Sequence, residues 1–177
     1  MNPIRTLVIA APLIACPLSA HATLTDLGNG TVEDSATHLI WLKDWQSLGG
    51  FTTDWNGALS YAASVGYGGS SSWALPSPAQ YTTLWNDAGS SFSGLTAYFT
   101  NVRASAIYWS NSTLPGFSPG YVAIFNTDDG GIYVWSVGYQ GLAALVHPSA
   151  VPEAATVSTM LAGLTLVGFF ALRRRKA

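Results

Sequence analysis

The carboxyl end places the strongest constraint on this chain, because an uncharged apolar stretch is followed at once by a cluster of cations. Residues 154–172 contain no charged side chain, and Arg173, Arg174, Arg175 and Lys176 come directly after them. A helix of this length spans roughly 28 Å, about the thickness of the hydrocarbon core of a bilayer. We therefore predict a transmembrane helix over 154–172, with the basic tail on the cytoplasmic side because positive residues favour that side.

The amino end is typical of a secretory signal peptide. Arg5 supplies a positive start, an apolar run follows, and Ala20 and Ala22 form the small-residue pattern that signal peptidase recognises. We predict a signal peptide over 1–22, with cleavage before Thr23. The chain would then be exported, and the basic tail would place its body on the far side of the same membrane.

An alternative start of the mature chain stays open. Leu13-Ile14-Ala15-Cys16 resembles a lipoprotein lipobox, in which Cys16 would be lipidated and become the first residue. Cys16 is the only cysteine of the chain. After cleavage before Thr23 the body would therefore hold no disulfide, no zinc-thiolate site and no cysteine nucleophile.

A short motif stands directly before the apolar stretch. Val151-Pro152-Glu153, the apolar residues and the arginine cluster together resemble the PEP-CTERM sorting signal of Gram-negative bacteria, although Ala154 replaces the usual second proline. The resemblance implies that an exosortase, a membrane peptidase, cleaves near the motif. The body would then pass to the cell envelope or to the exopolysaccharide matrix of a biofilm. We assign this sorting signal to residues 149–177.

The body between the two ends is acidic and rich in aromatic residues. From residue 23 to residue 150 the basic residues are Lys43 and Arg103, which face eight acidic residues and give a net charge of −6. A nucleic-acid-binding protein needs a basic face, so this balance disfavours that class. All seven Trp and all eight Tyr lie in the body, which excludes intrinsic disorder.

The pattern of the body predicts a single compact α+β domain, residues 23–148, with two helices and an antiparallel sheet. Asp54 is a helix N-cap before an apolar periodicity that ends near Gly66, and Ser77-Pro78-Ala79-Gln80 is a capping box that opens a second helix. Strands are predicted over 107–110, 121–125, 132–137 and 142–146. Residues 127–131, Thr-Asp-Asp-Gly-Gly, join two of them as a hairpin loop.

Several motifs of the body occur in the order of a known group of exported bacterial domains. They are residues 25–34 with 39–43, Trp55 with Ala58-Leu59, residues 73–77 (Trp-Ala-Leu-Pro-Ser) and residues 108–110 (Tyr-Trp-Ser). With these motifs the body resembles the Lcl C-terminal-like domains, which implies a fold similar to C-type lectin-like domains. Ala74 and His147 stand where the group commonly has arginine. We therefore expect a salt-bridge network of the group to be lost here.

Residues of catalytic or metal-binding type are sparse. His38 and His147 have no partner at metal-ligand spacing, and no nucleophile elbow, phosphate loop or EF-hand loop is present. Asp128-Asp129-Gly130 lacks the alternating oxygen ligands of a dedicated calcium site and is interpreted as a turn. We predict no catalytic residues, no metal site and no cofactor.

Aromatic side chains near loops and strand ends are the remaining candidates for ligand binding, because sugars stack on flat aromatic faces without needing charge. These candidates are Trp45, Phe51, Tyr67, Phe117, Trp135 and Tyr139. We expect a non-enzymatic protein with a binding or structural role toward polysaccharide. Two alternatives stay open: a small surface hydrolase using His38 or His147 beside an acid, and an acidic adhesin that binds a protein.

Overall fold

The computed structural model describes residues 23–46, 53–113 and 119–149. The signal peptide with Ala20 and Ala22, the sorting signal with Val151, Pro152 and Glu153, the transmembrane helix and the basic tail all lie outside these ranges. Among the helices that the structure describes, none combines the length and the apolarity needed to cross a bilayer.

The described residues form an α+β domain with three helices and two antiparallel sheets. The helices are α1 (Trp55–Ser64), α2 (Pro78–Asp87) and α3 (Phe92–Tyr98). The strands are β1 (Leu24–Asp26), β2 (Thr31–Asp34), β3 (Leu39–Leu42), β4 (Ile107–Trp109), β5 (Tyr121–Asn126), β6 (Ile132–Ser136) and β7 (Val146–Pro148). One sheet has the order β1-β2-β3-β7 and the other the order β4-β5-β6. The α+β class is confirmed, whereas the expected two helices and one sheet undercounted the elements.

The first two helices begin where the capping signals predict. The Asp54 carboxylate accepts the Gly57 N–H at 2.7 Å and starts α1. At α2 the Ser77 hydroxyl accepts the Gln80 N–H at 3.2 Å, and the Gln80 side chain accepts the Ser77 N–H at 2.7 Å. This reciprocal pair satisfies two backbone donors that the first turn of a helix otherwise leaves unpaired.

Helix α3 was not predicted, because Gly94 lies inside it and Ser90, Ser91 and Ser93 lie at its start, and both residue types favour turns. The Ser91 hydroxyl accepts the Gly94 N–H at 3.1 Å and begins the helix. Leu95 and Phe99 are almost fully buried. Packing of these two side chains into the core, rather than intrinsic propensity, therefore stabilises this short helix.

The last strand lies further along the chain than its apolar run predicts. Residues 142–145 are buried but outside the named strands, and β7 covers only Val146–Pro148. This stretch is apolar because it packs between the two core clusters, with Leu142 in one and Leu145 in the other. The strand predicted over 142–146 is therefore reduced to an isolated parallel bridge between Leu142 and Tyr108 and to Val146, which begins β7.

The four-stranded sheet brings the two ends of the described body together. Its antiparallel register aligns Leu24 with Asp34, Asp34 with Leu39, and Leu39 with Pro148. Because β1 begins at Leu24 and β7 ends at Pro148, the chain enters and leaves at the same end of this sheet. Three strand spacings, about 14 Å, separate the two points.

Large aromatic side chains lie in both clusters of the hydrophobic core. Trp41, Trp73 and Trp109 are buried. Trp55 is partly exposed and donates its indole N–H to the Ser110 carbonyl at 2.8 Å. The charged contribution is small: the one ion pair among the described residues joins Lys43 to Asp26 on the surface.

Candidate functional site

The candidate site lies on β6, the terminal strand of the three-stranded sheet. The Asn126 N–H donates to Gly131 and the Val137 N–H donates to Gly120, so the odd-numbered residues of β6 exchange hydrogen bonds with β5. Alternation along an antiparallel pair then turns the amide groups of the even-numbered residues, Val134 and Ser136 among them, toward the free edge.

Two aromatic rings meet at the end of this strand. Trp135 is 39% exposed and Tyr139 is 61% exposed, and their ring centroids lie 5.6 Å apart at an interplanar angle of 60°. The chain turns back here because the Tyr139 N–H donates to the Ser136 carbonyl at 3.1 Å. This turn places Tyr139 beside Trp135, so the structure brings together two of the predicted ligand-binding candidates.

A third ring completes a surface depression of ≈ 290 Å³. Tyr121 pairs with Ser136 across β5 and β6, so the two side chains share one face, while Trp135 occupies the other. The depression therefore straddles the free edge of β6. Its lining contains no charged residue and consists of Tyr121, Val134, Trp135, Ser136 and Tyr139.

Sequence reasoning missed Tyr121, which begins β5 and is 45% exposed. The hairpin loop at 127–131 was predicted correctly, and it fixes which residues of β5 and β6 are opposite one another. Counting back from a loop of five residues would place Tyr121 opposite Val137, whereas Asn126 pairs with Gly131 and Tyr121 therefore lies opposite Ser136. The hairpin thus indicated that Tyr121 lies near the end of β6, but a register error of one residue would have put it on the wrong face.

Tyr133 is as exposed as Tyr121 but does not line the depression. Its hydroxyl donates a short hydrogen bond to the Asp129 carboxylate. This bond raises the pKa of Tyr133 and lowers the pKa of Asp129. Asp129 also accepts the Gly131 N–H at 2.8 Å, which is the role of a turn residue.

Trp45 is not a surface ligand-binding residue, in contrast to the prediction. It is 2% exposed and packs between Phe99 and Tyr108, with ring centroids 5.3 Å and 4.8 Å away. The Trp45 backbone N–H donates to the Thr100 carbonyl at 3.1 Å, and burial of so large an apolar surface outweighs exposure. Tyr67 is half-buried in a different part of the domain, and Phe51 and Phe117 lie outside the described residues.

The two histidines of the body have separate surroundings. The His147 ring stands perpendicular to Trp73 at a centroid distance of 4.4 Å, and its Nδ1 lies 2.7 Å from the Pro148 carbonyl. His38 is exposed and has a φ of 54°. Within the described ranges, no group of three or more His, Cys, Asp or Glu side chains is arranged to hold a metal ion.

A second surface depression, ≈ 310 Å³, lies elsewhere on the domain. Arg103, Ser105 and Gln140 contribute polar groups to its lining. The Arg103 backbone is fixed because its N–H donates to the Tyr108 hydroxyl at 3.0 Å and its carbonyl accepts the Thr127 hydroxyl at 2.8 Å. This depression thus presents a cation, unlike the uncharged one on β6.

Comparison with known protein families shows which family the chain belongs to. The family model described as the Lcl C-terminal domain matches residues 30–147, which is more than half of the chain. The chain belongs to the Lcl C-terminal domain family. A second model, the PEP-CTERM protein-sorting motif, matches residues 150–176. Both resemblances noted from the sequence are therefore confirmed. No curated protein matches the chain.

The two matches divide the chain by role. The PEP-CTERM motif marks an exported chain that is anchored in the membrane while it is processed, with an exosortase as its processing partner. The uncharged depression lies entirely within the Lcl C-terminal domain, since Tyr121 and Tyr139 fall inside the matched residues.

Proposed function

We propose that this Lcl C-terminal domain is a non-catalytic carbohydrate-binding module, delivered by exosortase sorting to the cell envelope or to an exopolysaccharide matrix. The main support is the cluster of three exposed rings around an uncharged depression. Rings of this kind are suited to the apolar faces of sugars, and the neighbouring amide and hydroxyl groups are suited to sugar hydroxyls. Signal peptidase would remove residues 1–22, and the polysaccharide would be the lasting partner.

The same proposal includes the finer fold relationship. The order of motifs along the body and the α+β architecture support a relationship with C-type lectin-like domains. The lining of the depression contains no carboxylate, so we propose binding that does not use calcium.

The alternatives have less support from the contacts of their candidate residues. A hydrolase would need His147 or His38 beside an acid, whereas His147 contacts Trp73 and the Pro148 carbonyl. An acidic adhesin would present its carboxylates to a protein partner, but Asp129 is engaged by Tyr133. The exposed rings favour the carbohydrate instead.

A glycan array, followed by calorimetry with the exopolysaccharide of the source strain, tests the proposal. Tyr121→Ala should weaken binding, and Tyr133→Ala is its matched control because both tyrosines are similarly exposed on the same hairpin. Equal effects of the two substitutions, or the absence of binding to every glycan, would contradict the proposed function.

A further inference from the structure

We infer that the depression on β6 selects an uncharged pyranose chain of gluco configuration, held one or two sugar units at a time. This inference rests on the proposed function, because it names the class of sugar that the same site takes. Three observations support it: the geometry of the rings, the free edge of β6 and the charges nearby.

The rings limit how much of a polysaccharide the site can hold. Trp135 and Tyr139 are inclined at 60°, so they form a corner rather than one flat platform. The volume of ≈ 290 Å³ is close to the lower end of small-molecule sites, about 300 Å³. A chain would therefore place a single unit, or two, against the rings and continue into solvent.

Stacking on a ring selects the configuration of that unit. A pyranose whose substituents are all equatorial presents axial C–H groups on both faces, which match the electron-rich face of an aromatic ring. An axial hydroxyl makes one face of the pyranose polar, so such a unit can stack only through its other face and loses the contact with the second ring of the corner. Sugars of gluco configuration meet this condition, whereas manno epimers carry one axial hydroxyl.

The free edge of β6 supplies hydrogen bonds between the rings. The Val134 N–H and C=O and the Ser136 N–H point outward, and both residues line the depression. A hydroxyl group donates and accepts, so it matches such a mixed edge. A partner β-strand would need a longer row of free backbone groups to pair with. Here the Ser136 carbonyl is not free, because it accepts the Tyr139 N–H.

Charge determines which sugars are excluded. The lining of the depression has no cation to balance a carboxylate, and the body has a net charge of −6 from residue 23 to residue 150. Placing a uronate there would desolvate its charge without compensation. Acidic sugars are better matched to the other depression, where Arg103 provides a cation.

Calorimetry on the full chain tests this inference, in a detergent without a sugar head group and with EDTA present. The ligands are three oligosaccharides of equal length: a neutral β-linked glucan, its manno epimer and a glucuronate-containing chain. We expect the glucan to bind at least about fivefold more tightly than either of the others, which corresponds to roughly one hydrogen bond. Trp135→Ala should weaken glucan binding about tenfold, and Trp135→Phe, which keeps a ring, should weaken it less.

A separate variant tests the hydrogen bonds from the backbone of β6. Val134→Pro removes an N–H that β5 does not use, so the domain should keep its melting temperature while its affinity for the glucan falls severalfold. Val134→Ala keeps the amide, and the difference between the two variants isolates the contribution of the N–H.

Other outcomes distinguish a failure of the proposed function from a failure of the inferred sugar class. If no saccharide binds, the proposed function fails. If the glucuronate chain binds most tightly and Arg103→Gln abolishes that binding, carbohydrate binding stands but the inferred class and site are wrong. If ultracentrifugation shows that Val134→Pro converts an oligomer into a monomer, the edge pairs with a second copy of the chain and the inference is overturned.

Discussion

Tyr81 and Phe125 stack face to face, with ring centroids 4.7 Å apart and ring planes 3° from parallel. The stack joins α2 to β5, the central strand of the sheet that carries the candidate site. The Tyr81 hydroxyl also donates to the Trp109 carbonyl on β4 at 3.1 Å. The helix therefore contacts two strands of that sheet, and one of them, β5, begins with Tyr121.

Phe125→Ala should destabilise the domain by about 3–5 kcal/mol, because it removes a fully buried ring and leaves a cavity against Tyr81 and Trp85. Urea unfolding followed by tryptophan fluorescence gives the free energy of unfolding. Tyr121→Ala, on the surface of the same strand, should change it by no more than about 0.5 kcal/mol. A cost below about 1 kcal/mol for Phe125→Ala would show that the stack does not support the sheet.

Ser77→Ala should lower the free energy of unfolding by about 1 kcal/mol, because it removes one half of the capping box at α2. Ser60→Ala is the control: Ser60 is exposed within α1 and its hydroxyl bonds to the Asn56 carbonyl of the same helix. Alanine is a better helix former than serine, so the control should be neutral or slightly stabilising. Similar losses in both variants would argue against a specific role for the cap.

Gly141→Ala should destabilise the domain by about 1–3 kcal/mol, as overpacking does in a filled core. A Cβ atom at Gly141 would lie 2.8 Å from the Trp109 indole, whose N–H is fixed by donation to the Thr53 carbonyl. Gly138→Ala is matched, because a Cβ there would meet no heavy atom within 4 Å. Thermal unfolding should separate the two variants, and equal melting temperatures would contradict the close contact.

Asp87→Asn should raise stability at neutral pH. Burial, and then the charge of Asp34, raise the pKa of Asp87, and its Oδ2 is shielded without a hydrogen-bond partner among the described residues. A raised pKa means that the folded state binds the proton more tightly than the unfolded state. The free energy of unfolding then falls as pH rises from 3.8, the ordinary pKa of an aspartate, through the higher pKa of the folded state. In urea unfolding, the variant should have the higher free energy of unfolding at pH 7. Near pH 3 the variant and the wild type should have similar values.

Asp26→Asn should have the opposite effect on stability at neutral pH. The hydrogen bond from Lys43 lowers the pKa of Asp26, so its contribution is present above pH 3.8 and is lost as pH falls through the folded pKa. The variant should therefore be slightly less stable than the wild type at pH 7, and added salt should shrink the difference because the pair is exposed. A loss that is independent of salt would show that the effect does not come from the ion pair.

Local signals accounted for the parts of the fold that depend on neighbouring residues. Asp54 and Ser77 start helices because each side chain bonds the backbone three residues later, a relationship written directly in the sequence. The burial of Trp45 could not be read in this way, because Phe99 and Tyr108, which surround it, are more than fifty residues away along the chain. Loop position alone wrongly suggested exposure.

The candidate site shows the same division. Trp135 and Tyr139 were recognised as aromatic residues near a strand end, but their contact depends on the turn at Ser136, which no residue pattern specified. Tyr121 joins them only through the register of β5 and β6. A site assembled by sheet register is therefore harder to predict than the hairpin that creates it.

The common exit point of β1 and β7 has a consequence for how the protein is presented. The segments that precede Thr23 and follow Ser149 attach at one end of the same sheet, so attachment to a membrane through either segment turns the same side of the domain toward the lipid. The strand order thus determines how the domain is oriented at the membrane surface. A change of tether during maturation would not require the domain to turn over.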